Sequence, residues 1–164
     1  RKHNTVMPIK LEGDIINEIE ERLIICHTKK SHLGSLIQKD KNLKRTNSND
    51  KNQYAERLKN LTIDMKQNLL RAKYDDFARL LEETWAIKKD LNPNVTSPEL
   101  DEIHSVAISA GALGGRLLGT GGGGYFLFYV PPFTRYSVLD SLEKLGLQPE
   151  AMKIDQKGLS SWIV

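Results

Sequence analysis

Fourteen residues, Gly111 to Gly124 (GALGGRLLGTGGGG), carry eight of the chain's twelve glycines. Glycine gives up side-chain packing and loses extra backbone entropy on folding. A run this dense therefore points to left-handed turns, or to a backbone that something must approach closely. An apolar run, Tyr125 to Val130, follows directly and reads as a strand. A glycine loop set between ordered elements exposes bare peptide N–H groups, the donors with which proteins hold phosphate. Gly119, Gly121, Gly122 and Gly123 would offer such donors, with the Thr120 hydroxyl among them. A tight turn between helix and strand is the structural alternative, but one or two glycines would suffice for that.

Two familiar phosphate motifs fail on context. Gly119, Gly121 and Gly124 satisfy G-x-G-x-x-G, yet the dinucleotide fingerprint follows a strand and opens a helix, and here the glycines precede the strand. Gly114, Gly119 and Thr120 have the glycine and hydroxyl spacing of a Walker A loop, but its lysine is missing.

Arg116, inside the glycine run, could reach a γ-phosphate or an acceptor and stabilise charge as it spreads in a transition state. Its structural alternative is a solvated surface arginine. Lys88 lies one helical turn beyond Trp85, on the same face. A core tryptophan beside a solvated lysine has the same spacing. Cys26, His27 and His32 match no common zinc spacing and no second pair completes a set, so no metal site is expected. Asp101 and Glu102 resemble a metal pair only superficially, since the first turn of a helix favours acids.

These groups must be held by a modest framework. A chain of 164 residues forms one domain, 1–164, with a respectable core. A net charge of +3 is too small to argue for nucleic acid, and the lysines of Gln38 to Gln53 are diluted by acids and amides, as in a solvated loop. Tyr125 and Tyr129 interleave as stacking aromatics do, but no basic sheet-facing pattern accompanies them, so RNA is a weak candidate. No apolar run spans a membrane and no signal-peptide pattern is present. The single cysteine excludes an intrachain disulfide and fits a reducing, cytoplasmic compartment. The opening RKHNTVMPIKL reads as the middle of a longer chain.

Periodicity places the elements. Val6 to Leu11 is a weak strand candidate interrupted by Pro8, Asp14 can cap a helix through Glu21, and Leu23 to Cys26 suits a buried strand. A turn at Thr28 to Gly34 and a short helix precede the lysine-rich loop. From Gln53, Tyr54, Leu58, Leu61, Met65 and Leu69 mark one buried helical stripe, broken at Ala72 to Asp75. A second helix buries Phe77, Leu80, Leu81, Thr84 and Leu91 until Asn92-Pro93-Asn94 stops it. Ser97 caps a third, with Pro98 at its first position, inner residues Leu100, Ile103, Ala107 and Ala110, and Gly111 at its end. After the glycine loop and strand come Pro131-Pro132, then an amphipathic helix over Phe133 to Leu145 with Tyr136, Leu139, Leu142 and Leu145 inward. Short strands are expected around Met152 to Ile154 and over Trp162 to Val164. The order predicts an α+β fold, a small, mostly antiparallel (ferredoxin-like) sheet with helices packed on one face.

A GALGGRLLGTGGGG loop following a helix and feeding an apolar strand resembles the third conserved motif of the GHMP small-molecule kinases. Glu83 to Lys89 (ETWAIKK), Asp90-Leu91, Arg22 to Thr28, Pro8 to Leu11 and Phe126 to Pro132 look like the heptose-phosphate and fucose kinase branch. Arg116 stands where lysine is common and Thr120 where alanine is frequent, and Ser31-His32 replaces a frequent Ser/Thr-Arg. The resemblance implies a GHMP kinase C-terminal domain whose loop closes over ATP phosphates and a sugar or sugar-phosphate acceptor. It also implies a sugar-site role for Trp85 and Lys88. The family's main phosphate loop, of Pro-x-x-x-Gly-Leu-Gly-Ser-Ser type, its catalytic aspartate and its Mg2+ ligand belong to an N-terminal domain not contained in these residues. By that resemblance the chain holds no catalytic residue of its own and should not turn over alone. The competing expectation is a non-catalytic small-ligand-binding or regulatory module reusing the fold.

Overall fold

Helices with one apolar stripe must bury it, and here they do so against a short sheet. A computed structural model describes residues 8–30, 48–155 and 158–162. Helix α1 (Gly13–Arg22) leads into β1 (Leu23–His27), followed by α2 (Ser48–Leu70), α3 (Tyr74–Leu91), a 3-10 turn at Pro93–Val95 and α4 (Pro98–Ser109). Then come β2 (Gly114–Leu117), β3 (Tyr125–Tyr129), a 3-10 turn at Pro132–Thr134, α5 (Arg135–Lys144) and β4 (Pro149–Ala151). The strands form one sheet, order β2-β3-β1-β4, every pairing antiparallel. The α+β class is the one the sequence predicts.

Helix α3 illustrates the local logic. Asp75 and Asp76 occupy its first turn and Lys88 and Lys89 its last, each on the end whose partial charge it complements. Ala78, Leu81 and Trp85, three and four residues apart, turn inward. The Asn92 side chain then accepts the Asn94 N–H at 3.1 Å, diverting the chain into the 3-10 turn. Ser97 caps α4 through the Leu100 N–H, with Pro98 in the first turn.

Strand alternation divides the sheet. Ile24, Cys26, Leu117, Phe126 and Phe128 pack with Trp85, Leu100, Ile103, Ala107, Val138 and Leu142 in the main core. Leu23 and Tyr129, opposite one another across β1 and β3, join Ile19 and Ala78 in a smaller cluster. At the far end of the same two strands His27 is exposed and Tyr125 is 44% exposed, their ring centroids 4.8 Å apart. Tyr129 is fully buried, so the two tyrosines form no continuous stacking platform.

Several expectations need correction. Gly114–Leu117, expected as loop, is a strand: Gly115 lies where a Cβ would come within 2.3 Å of the Phe128 ring, and Gly114 where it would meet the Ala78 carbonyl at 2.2 Å. Those glycines serve close packing, not a turn. Helix α2 starts at Ser48, so the polar stretch is helical before Gln53. Asp14 sits inside α1, and Glu12, without a side-chain bond, occupies the capping position. A 3-10 turn at Pro132–Thr134 precedes α5, whose inner face is only partly the expected one: Leu142 is buried and Leu139 packs on the main core, but Val138 joins them while Phe133, Tyr136 and Leu145 are exposed. The last strand is Pro149–Ala151, upstream of Met152 and Ile154, and neither Pro8 to Leu11 nor Trp162 is in a strand. Val6, Ser31, His32, residues 34–47, Ile163 and Val164, on which other expectations fall, lie outside the described residues.

Candidate phosphate-binding site

The β2–β3 hairpin carries the glycine loop. The Leu118 N–H donates to the Tyr125 carbonyl at 2.8 Å and closes its base. Two carbonyls clamp the loop from outside: Val95 accepts the Gly122 N–H and Lys30 accepts the Gly124 N–H, both at 2.8 Å. Thr28 holds the Gly124 carbonyl with its N–H at 2.8 Å and its hydroxyl at 2.9 Å. A Cβ on Gly121, whose φ is +107°, would lie 2.6 Å from the Val95 Cβ. Glycine is required there by both backbone angle and space.

Among the described residues, the N–H groups of Gly119, Thr120 and Gly123 donate to no protein acceptor, while that of the buried Gly121 closes a turn over Gly119 and Thr120. A hollow of about 350 Å³ is lined by Leu118, Gly119, Thr120, Gly121, Gly123, Gly124 and Tyr125. Gly119 and Thr120 are exposed, Gly123 half-buried, Gly121 and Gly122 buried. Free amide donors on a rigid, clamped turn can hold an anion without first breaking internal bonds. Larger hollows of about 440 and 510 Å³ sit at the α2–α3 turn, but their lining mixes both charges, and Arg79 already pairs with Asp76 at 2.8 Å.

Two cations stand behind the loop. Lys88 Nζ donates to the Gly119 carbonyl at 2.7 Å and lies 3.5 Å from that of Leu117. Arg116, on β2, donates through Nη1 to the Thr84 hydroxyl at 3.1 Å. Burial holds both below their ordinary pKa values, and the Arg116 charge lowers Lys88 further. Trp85 is fully buried, edge-on to Phe126 at 5.9 Å, with Lys88 and Lys89 over its ring. It is a core residue with no surface for a sugar to touch, which corrects the pairing of Trp85 with Lys88 as a sugar site.

Further groups position the site without any local sequence signal. The Glu82 carboxylate accepts the Gly115 N–H at 3.0 Å and contacts His104 Nε2 at 2.9 Å, joining α3, α4 and the start of β2. Burial would raise the Glu82 pKa, but those two bonds outweigh it and hold it below its ordinary value. Lys30, whose carbonyl clamps the loop, pairs with Glu99 at 2.9 Å; its bond and that of the Ser97 hydroxyl bring the Glu99 pKa down to about 2. Asp101 accepts the Thr96 hydroxyl at 3.0 Å and pairs with Lys89, so it caps structure. Among the described residues no three His, Cys, Asp or Glu side chains gather to hold a metal ion, and no helix is long and apolar enough to cross a membrane.

A hairpin of this build beside an α+β core defines a class, and comparison with known proteins identifies it. The chain belongs to the GHMP kinases C terminal family, which matches residues 65–146. It is 29% identical over 162 residues to the D-glycero-alpha-D-manno-heptose 7-phosphate kinase of Campylobacter jejuni, covering 98% of this chain and 47% of that protein. A crystal structure from Campylobacter jejuni, described as a sugar kinase, superposes with a TM-score of 0.67 at 26% identity, over 96% of this chain and 44% of that one. Streptococcus pneumoniae phosphomevalonate kinase, solved with phosphomevalonate and AMPPNP, shares the fold at a TM-score of 0.65 and 15% identity, over 79% of this chain and 39% of that one. The chain thus spans about half the length of these relatives, 47% of the first.

Proposed function

We propose that this domain is the C-terminal half of an ATP-dependent sugar or sugar-phosphate kinase, its glycine loop closing over the nucleotide phosphates and the acceptor. The observation that carries this reading is the set of unengaged N–H groups at Gly119, Thr120 and Gly123, in a loop that lines an open hollow. Phosphoryl transfer depends on positioning and charge neutralisation more than on covalent chemistry by the protein. The amides, with the Thr120 hydroxyl, would hold phosphate oxygens; Arg116 and Lys88 would add positive charge on the acceptor side. By the family resemblance, Mg2+ and the group that receives the acceptor's proton would be supplied by an N-terminal partner domain. The heptose 7-phosphate kinase and sugar kinase relatives support a sugar acceptor, and the AMPPNP complex supports the nucleotide.

The test joins or co-expresses the chain with an N-terminal GHMP kinase domain and measures ADP release with heptose 7-phosphate, fucose and galactose. ADP release dependent on one of these sugars and lost in Arg116→Gln is expected. Silence with all three, from a folded and assembled pair, overturns the reading. Stabilisation of the chain by a sugar phosphate but by no nucleotide would instead favour a regulatory module.

A further inference from the structure

The kinase reading, on which this inference rests, leaves one charge imbalance unexplained. Glu82, Glu83 and Asp101, acids of α3 and α4 near the loop, are engaged by His104, Arg57 and Lys89 respectively. Arg116 and Lys88 are half-buried neighbours, and among the described residues neither pairs with a carboxylate. Arg116 meets one hydroxyl; Lys88 meets carbonyl oxygens. A buried cation without a counter-charge is unfavourable, and two side by side are more so.

The hollow at the glycine loop does not touch either cation: its lining runs from Leu118 to Tyr125. Nucleotide phosphates laid along the free amides would have the Gly119 peptide between them and Lys88, and a neutral sugar would leave both cations without a counter-charge. We propose that Arg116 and Lys88 form a second phosphate subsite, separate from the glycine hollow, which takes the phosphate already carried by the acceptor. A phosphate monoester brings roughly two negative charges near pH 7. The arginine fork and the lysine point charge suit its oxygens in complementary ways.

Calorimetric titration of the chain with sedoheptulose 7-phosphate, sedoheptulose and AMPPNP tests this. Sedoheptulose 7-phosphate is expected to bind at least about tenfold more tightly than sedoheptulose, the worth of one charge-assisted hydrogen bond. Arg116→Gln should lose about the same factor and Arg116→Lys recover part of it, with thermal unfolding confirming that both fold. AMPPNP should bind the wild-type chain equally well when it is saturated with the sugar phosphate. Equal affinity for the two sugars, displacement of the sugar phosphate by AMPPNP, or binding indifferent to Arg116 overturns the proposal. The wild-type titrations decide the matter even if a variant fails to fold. AMPPNP binding without sugar-phosphate binding sinks this inference alone; absence of both, with the chain joined to an N-terminal GHMP kinase domain as well, sinks the kinase reading with it.

Discussion

Replacing Gly121 by alanine should damage the domain far more than replacing Gly119, although both glycines lie in one loop with positive φ. At Gly119 (φ +71°) an added Cβ meets nothing within 4 Å, so Gly119→Ala incurs only the left-handed backbone penalty, about 1–2 kcal/mol. At Gly121 (φ +107°) the backbone term is about 1–3 kcal/mol, and the Cβ lies 2.6 Å from the Val95 Cβ and 2.9 Å from its Cα. Ordinary carbon contacts are about 3.5–4.0 Å, so Val95 must retreat by roughly 1 Å. Val95 is 3% exposed and part of the main core, and its carbonyl holds the Gly122 N–H. Overpacking adds about 1–3 kcal/mol and the broken hydrogen bond about 0.5–1.5 kcal/mol, together roughly 3–7 kcal/mol with the backbone. Domains hold only about 5–15 kcal/mol in total, so Gly121→Ala should sit near the unfolding threshold. Urea denaturation with matched m-values reads the difference. An unfolded Gly121→Ala beside a folded Gly119→Ala meets the expectation. Equal stability of the two variants would refute the clamped loop.

Two further predictions concern titratable groups. The Glu82 carboxyl is held below its ordinary value in the folded state, so its contribution is complete above about pH 4.5 and is lost as pH falls through the folded value. Glu82→Gln should flatten that acid limb of a stability-against-pH curve and destabilise the domain at neutral pH by about 1 kcal/mol, at the low end because its side chain is 36% exposed. An unchanged acid limb would contradict the assignment. Burial raises the Cys26 thiol to about 11 from an ordinary 9.0, so near pH 8 its iodoacetamide alkylation should be about a hundredfold slower than in the urea-unfolded chain. Comparable rates would show that Cys26 is not sealed in the core.

Much of the fold was legible because each element carries its own local signal. The stripe of α3, the Ser97-Pro98 start of α4 and the short apolar β1 all follow from spacing and capping chemistry. Strand β2 was not legible: Gly114 and Gly115 carry poor strand propensity, and only the tertiary approach of Ala78 and Phe128 explains them. The inner face of α5 was half legible: Leu139 and Leu142 turn to the core as their spacing predicts, whereas Val138 takes the place expected of Tyr136 and Leu145. At the site, the density of glycines marked the loop, but its clamps did not appear. Val95 and Lys30 act through backbone carbonyls, which leave no trace in side-chain identity, and Glu82 reaches Gly115 across 33 positions of sequence. Helical spacing put Trp85 and Lys88 on one face and the family resemblance implied their sugar-site role; neither can tell a buried face from one that meets a ligand.

The central claim is that the free amides of the glycine loop grip nucleotide phosphate. Amide-resolved NMR of the 15N-labelled chain, titrated with AMPPNP alone and with an N-terminal GHMP kinase domain docked, tests it directly. The signals of Gly119, Thr120 and Gly123 should move most, while Gly121, Gly122 and Gly124, already bonded within the protein, move less. Three unmoved amides in the docked complex at saturating AMPPNP would contradict the account.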